Sequence, residues 1–155
     1  MPGRPPSPLP IEDDVVIAGL LAAALSGLPS TAHALWRGHD PLDAALAAGT
    51  LLLPHEDRRG RLLAAATVTH VAISLGWAAV LARTLPDRHT IAWGIPAGLA
   101  IAGLDLGVIG RHLTRIRALP QIPQVADHVA YAVTVGAVLH RRRSSRRSTP
   151  WPFAG

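Results

Sequence analysis

The sequence predicts an all-α integral membrane bundle of about four transmembrane helices plus one short re-entrant or interfacial helix. Apolar residues make up 49% of the chain and aromatic residues only 4%, so the apolar content is mostly small and aliphatic. These residues stand in long blocks, and the arginines gather where the blocks end. Small residues let helices pack closely in lipid, and basic residues at block ends are typical of membrane flanks.

Four apolar blocks are candidate spans. An α-helix rises about 1.5 Å per residue, and the hydrocarbon core of a bilayer is about 30 Å thick. The first three blocks are long enough to cross it, whereas the fourth is marginal. The predicted regions are a disordered Pro-rich amino-terminal tail at 1–14, a transmembrane helical domain at 15–140 with spans at 15–36, 62–82, 90–110 and 124–140, a short helix at 41–53, and a basic carboxyl-terminal tail at 141–155.

Prolines and polar residues mark the local boundaries. Pro29 predicts a kink in the first span, whose freed carbonyl groups would be met by Ser26, Ser30 or a neighbouring helix. Asp40 is suited to cap the short helix, and Pro54 is suited to end it. This helix is too short to cross a bilayer comfortably, so a re-entrant or interfacial position is predicted for it.

Length and charge favour different topologies. Four spans place both termini on one side of the membrane. The basic residues of the inner loops favour an external amino terminus, whereas the Arg-rich tail favours an internal carboxyl terminus, and this combination needs an odd number of crossings. We give more weight to length and predict four spans, with the orientation left open.

Polar and ionisable side chains inside the predicted spans are the candidate functional residues, because such groups are costly at membrane depth. His70 and Ser74 lie on one helical stripe of the second span. Asp105 lies at a similar depth in the third span, which runs antiparallel to the second. The predicted intramembrane polar contacts are His33, His70, Ser74, Asp105, Asp127 and His128.

His70, Asp105 and His128 allow two interpretations. Two imidazoles and a carboxylate can hold a divalent metal ion with an open coordination position, and facing histidines can hold haem. The simpler interpretation is structural, with His70 hydrogen-bonded to Asp105 or to the last helix. The spacing matches no specific metal motif, so the structural interpretation is favoured, and no cofactor or catalytic residue is predicted. The chain has no cysteine, which excludes disulfides and thiolate chemistry.

Two stretches are more specific than general hydrophobicity, namely GLPSTAHALWRGHDPLDAALAAGTLLLP and LDLGVIGRHLTRIRALPQIPQVADHVAYAVTVGAVL. Their Gly-Leu-Pro-Ser-Thr turn and Ala-Asp-His-Val-Ala-Tyr helix start resemble a family of small bacterial multi-pass membrane proteins of unknown function. The resemblance covers most of residues 15–140. It implies a four-helix protein of the bacterial cell membrane and supplies no activity or catalytic residue.

The charge pattern and the length of the chain limit the partners and functions that the sequence predicts. The isoelectric point of about 11.4 would suit a nucleic-acid partner. The arginines flank apolar blocks instead of forming a soluble face, so no nucleic-acid partner is predicted. The expected partners are the lipid bilayer, anionic lipids at the Arg-rich tail and, for transport, a second copy of the chain. The leading function is a non-enzymatic structural, accessory or transport-related membrane protein. The alternatives are a metal or haem protein using His70, Asp105 and His128, and a lipid-binding protein with its pocket at the Pro29 kink and the short helix.

Overall fold

The structure, a computed structural model, describes residues 10–147, and in this range the chain is helix and turn without a strand. The predicted all-α bundle is therefore confirmed. The parts of the two predicted tails at 1–9 and 148–155 lie outside the described residues. The helices are α1 (Pro10–Ser26), α2 (Leu28–Trp36), α3 (Asp43–Gly49), α4 (Arg59–Thr84), α5 (Thr90–Leu104), a π-helical segment (Asp105–Ile109), a 3₁₀ turn (Gly110–His112), α6 (Thr114–Arg117) and α7 (Gln121–Arg147).

Four helical stretches are long and apolar enough to cross a membrane. They are Glu12–Trp36, Arg59–Thr84, Thr90–His112 and Gln121–Ser145. The outer helices extend beyond the predicted limits of the first and last spans, because helix continues from the apolar blocks into their polar flanks. Helix α1 begins at Pro10, within the predicted disordered tail, and α7 runs on through the arginines to Arg147. The fourth stretch is consequently no longer marginal in length.

Small residues lie between the helices, and larger aliphatic residues lie outside. Ala18, Ala22, Ala78 and Ala132 are fully buried, whereas Val68 is 62% exposed. Many other large apolar side chains also point outward, among them Leu20, Leu25, Ile95 and Leu99. An apolar exterior around a core rich in alanine, with a few larger side chains such as Leu62 and Val135, is the packing expected of helices whose solvent is lipid.

Helices α5 and α7 form the tightest pair, and Gly94 and Gly98, spaced as Gly-x-x-x-Gly, lie at their contact. A Cβ atom on Gly94 would lie 2.8 Å from the carbonyl oxygen of Ala132. One on Gly98 would lie 2.5 Å from the Cα atom of Val129. Only glycine at these two positions allows the two backbones to approach so closely.

Arginines of α7 join three segments at one end of the bundle. Arg142 pairs with Asp14 of α1 at 3.2 Å. Arg143 pairs with Asp87 in the α4–α5 loop at 2.9 Å and donates to the carbonyl oxygens of Ala82 (2.8 Å) and Leu85 (3.3 Å). Guanidinium donors thus satisfy carbonyl groups that the end of α4 leaves without helical partners. The start of α1, the end of α7 and the α4–α5 loop lie at the same end.

The opposite end carries ion pairs between loops and the start of α4. Arg59 bonds Asp40 at 2.6 Å, and Arg61 bonds Glu56 at 3.1 Å. The bond from Arg59 lowers the pKa of Asp40, and for Glu56 the backbone amide of Arg58, followed by Arg61, lowers the pKa. Because the pKa of each carboxyl group is lowered, these bonds stabilise the folded loops at pH values above the ordinary carboxyl pKa. This stabilisation is lost as the pH falls through the lowered pKa.

Candidate functional site

A cavity of about 530 Å³ lies inside the bundle and reaches from the end with the α3 helix toward the middle of the long helices. We call it the central cavity. Its walls come from the end of α1, α2, α3, α4, α5, the π-helical segment, α6 and α7. Most of the lining surface is apolar. Four ionisable groups other than tyrosine line it among the described residues, and they are His70, Asp105, Asp127 and His128.

A helix break near Pro29 shapes the first wall. Helix α1 ends at Ser26 and α2 begins at Leu28, so the helix breaks at Gly27, and Pro29 lies in the first turn of α2, near the kink that the sequence predicts. The hydroxyl of Ser30 donates to the carbonyl oxygen of Gly27 at 3.3 Å, and the same carbonyl oxygen accepts from the backbone amide of Thr31. The backbone amide of Ser30 donates to Oδ1 of Asp127 at 2.9 Å, so the break supplies a donor to α7.

The π-helical segment positions Asp105. This segment directly continues α5, and π-helical turns inside α-helices are frequent at functional sites. Oδ2 of Asp105 lies 3.4 Å from Nε2 of His128, and each side chain is 22% exposed. The other ring nitrogen of His128, Nδ1, lies 2.7 Å from the carbonyl oxygen of Gln124.

The two contacts of His128 determine where its proton lies. A carbonyl oxygen only accepts hydrogen bonds, so Nδ1 of His128 carries a proton. The contact between Nε2 and the carboxyl group of Asp105 then needs a second proton. That proton is either on the imidazole, which gives an imidazolium–carboxylate pair, or on Asp105, which donates to a neutral ring. In both arrangements the pair has no net charge.

His70 has a different partner from the one the sequence predicts. Its Nε2 lies 2.9 Å from the carbonyl oxygen of Ala23 on α1, and its bond is therefore neither to Asp105 nor to α7. His70 thus makes an interhelical contact, but with α1 and not with either partner that the sequence predicts. Depth along an antiparallel hairpin places His70 and Asp105 in one layer, whereas the rotation of α4 directs the ring toward α1.

The remaining predicted contacts divide into two groups. Ser74 is buried and lines the central cavity, and its carbonyl oxygen accepts a hydrogen bond from the hydroxyl of Tyr131. His33 lies near the end of α2 and is not among the residues that line the cavity. Its ring makes an edge contact with Trp36 at a centroid distance of 6.2 Å.

The predicted metal ligands share the central cavity without forming a coordination cluster. Asp105 and His128 are in contact, and His70 is bonded elsewhere. Among the residues that the structure describes, no group of three or more histidine or acidic side chains has the geometry to hold a metal ion.

Tyr131 is the site residue that sequence reasoning left without a role. It lies four residues after Asp127 and on the same stripe of α7, which was the available signal. A buried tyrosine hydroxyl needs a hydrogen-bond partner, and this one bonds the backbone of α4. Tyr131 therefore joins α7 to α4 at the wall of the cavity.

No protein-family model, curated protein sequence or solved structure matches this chain. The resemblance to small bacterial membrane proteins stays a prediction. The class of protein rests on the fold and the site: a helical bundle with four helices long and apolar enough to cross a membrane, enclosing a mainly apolar cavity with a few ionisable groups.

Proposed function

We propose that this chain is a non-enzymatic multi-pass protein of the bacterial cell membrane and that its bundle binds a small, mainly apolar molecule in the central cavity. This function is accessory or transport-related. It includes the lipid-binding alternative, because residues beside Pro29 and residues of the short helix α3 line the cavity.

The membrane setting is supported by the outer surface of the bundle. At most about a third of each candidate span is buried within the chain, and the outward residues include many large apolar side chains. A water-soluble protein rarely exposes so much contiguous apolar surface. A bilayer would cover it.

The single observation that carries the binding proposal is the central cavity itself. Its volume of about 530 Å³ lies within the range of about 300–1,000 Å³ that ligand pockets occupy. Its lining combines apolar walls with a few ionisable groups, which is the usual composition of a small-molecule site.

Trp77 provides a direct test, because it lines the cavity, whereas Trp93 is 51% exposed on α5. Two single-tryptophan variants would keep either Trp77 or Trp93, with phenylalanine at the remaining positions. A neutral brominated alkanol, 8-bromooctan-1-ol, quenches a tryptophan that it contacts. We expect saturable quenching of Trp77 in nanodiscs and only gradual, non-saturating quenching of Trp93 as the alkanol enters the lipid.

A cavity-filling variant completes the test. Ala45 lines the cavity from α3, and Ala72 is exposed on α4 outside it. We expect Ala45→Phe to abolish saturable quenching of Trp77 and Ala72→Phe to leave it unchanged, with both variants folded by circular dichroism. Equal, non-saturating quenching of Trp77 and Trp93 would contradict the binding proposal.

A further inference from the structure

The permanent cations arginine and lysine are missing from the described lining of the central cavity, whereas carboxyl groups are present. This imbalance indicates the chemical class of the ligand. The inference rests on the binding proposal above. Among the described residues that line the cavity, none is an arginine, and the chain has no lysine. The lining therefore contains no group with a permanent positive charge.

The protonation of the lining follows from its hydrogen bonds. The Asp105–His128 pair has no net charge when it holds its shared proton and is negative when that proton leaves. The Nε2 of His70 donates to the carbonyl oxygen of Ala23, a bond that needs no positive charge on the ring. Asp127 adds a second carboxyl group, which accepts from the amide of Ser30.

Low dielectric strengthens the effect of these groups on a ligand. A charge inside a helical bundle interacts more strongly with its neighbours than it would in water. When His70 is neutral and the Asp105–His128 pair holds its shared proton, the net charge of the lining is zero or negative, depending on Asp127. An anionic head group would lie beside carboxylates and find no cation to pair with. A cationic head group would pair with a carboxylate.

The aromatic lining favours the same kind of ligand. Trp77 and Tyr131 face the cavity together with the carboxyl groups. Aromatic ring faces attract cations, and ammonium groups are the commonest ligands held in this way. The apolar walls formed by α3 and α4 suit an alkyl or aryl body attached to such a head group.

We propose that the central cavity binds an organic cation with an apolar body, such as an alkylammonium ion, whose charged head lies beside Asp105 and Asp127. The ligand class is an amphiphilic amine, as opposed to an anionic lipid or a fatty acid.

Three brominated ligands of equal chain length test the charge preference with the Trp77-only protein. They are 8-bromooctylamine, 8-bromooctan-1-ol and 8-bromooctanoate, which are cationic, neutral and anionic near pH 7. The Trp93-only protein measures how much of each ligand enters the lipid. After that correction we expect the amine to bind Trp77-only protein at least about tenfold more tightly than the alkanol, and the carboxylate to bind more weakly than both.

Matched amide variants assign the preference to particular residues. We expect Asp105→Asn and Asp127→Asn each to reduce the advantage of the amine over the alkanol severalfold while leaving alkanol binding unchanged. Asp43→Asn is the control, because Asp43 is exposed on α3 and is not among the lining residues. It should leave all three affinities unchanged.

The outcomes separate the two proposals. Saturable binding of the alkanol with equal or tighter binding of the carboxylate would overturn the charge inference and retain the binding proposal. The same follows if the amine is favoured equally in the wild type and in both amide variants. Absence of saturable Trp77 quenching by all three ligands would overturn both proposals.

Discussion

Single polar residues inside the bundle form bonds between segments that are distant along the chain. Asp127 accepts from the amide of Ser30, and Tyr131 donates to the carbonyl oxygen of Ser74. Each bond satisfies a polar group that would otherwise be costly in an apolar surrounding. These residues hold α7 against α2 and α4 and shape the cavity at the same time.

Replacing Tyr131 with phenylalanine removes one hydroxyl and keeps the ring. Because the hydroxyl bonds the backbone of Ser74, we expect the free energy of unfolding to fall by about 0.5–1.5 kcal/mol. The measurement is unfolding by sodium dodecyl sulfate in mixed micelles, followed by circular dichroism. Thr84→Val is the control, since its hydroxyl bonds only the carbonyl oxygen of Val80 within α4. No loss of stability in Tyr131→Phe beyond that of the control would show that the interhelical bond contributes nothing.

Two substitutions of Asp127 separate hydrogen bonding from charge. Asparagine keeps the Oδ1 acceptor for the amide of Ser30, whereas alanine removes it. We expect Asp127→Ala to lower the free energy of unfolding by about 0.6–2 kcal/mol and Asp127→Asn to change it by much less. The same unfolding measurement applies. Equal losses in both variants would mean that the carboxylate charge, and not the acceptor, stabilises the contact.

The sequence predicts which polar residues lie within the spans but not how they pair. Helical spacing places residues on a stripe, and residue counting gives their depth. The rotation of each helix about its axis depends on packing against all its neighbours. For this reason His70 bonds Ala23 on α1 while Asp105 bonds His128, although counting placed His70 and Asp105 in one layer.

At the scale of helices, small residues and arginines determine which elements pack together. Glycines at the α5–α7 contact let the two backbones approach. Arg143 links α7 to the end of α4. The long helices could be predicted from apolar blocks alone, whereas their outer ends could not, because polar residues continue a helix once its neighbours hold it.

Glycine substitutions on α5 test the close contact. Since a Cβ on Gly98 would lie 2.5 Å from the Cα of Val129, we expect Gly98→Ala to lower the free energy of unfolding by about 1–3 kcal/mol. Gly103→Ala is the matched control, because a Cβ there meets nothing within 4 Å. It should leave stability unchanged or raise it by up to about 1 kcal/mol through helix propensity. Similar effects of both variants would contradict the proposed packing.

Arg143 tests the link between α7 and α4. Its three bonds to Ala82, Leu85 and Asp87 are lost in Arg143→Ala, so we expect stability to fall by about 1–2 kcal/mol. Arg141→Ala removes an exposed neighbouring arginine and serves as the control. Hydrogen exchange at the end of α4 should increase in the first variant only. Unchanged exchange in Arg143→Ala would show that the end of α4 is held by other contacts.

At the scale of the whole molecule, four long helices place the start of α1 and the end of α7 together. Asp14 contacts Arg142, and Arg143 contacts the α4–α5 loop, so these segments lie at one end of the bundle. The α3 region and the α3–α4 loop, whose Asp57 pairs with Arg115 of α6, lie at the other. Charge alone favours an odd number of crossings, but the helix lengths support four.

Single-cysteine labelling across the membrane tests the central claim that four helices cross a bilayer around the cavity. The chain has no cysteine, so each introduced thiol reports one position. The positions are exposed residues at the two ends of the bundle: Asp13, Arg88 and Arg141 at one end, and His55 and Arg117 at the other. The reagent is a membrane-impermeant maleimide added to intact cells and to inverted vesicles.

We predict that cysteines at 13, 88 and 141 react from one side of the membrane and that cysteines at 55 and 117 react only from the other. Reaction of positions 55 and 88 from the same side would contradict four crossings. Recovery of the chain in the fraction without membranes would contradict the membrane bundle altogether.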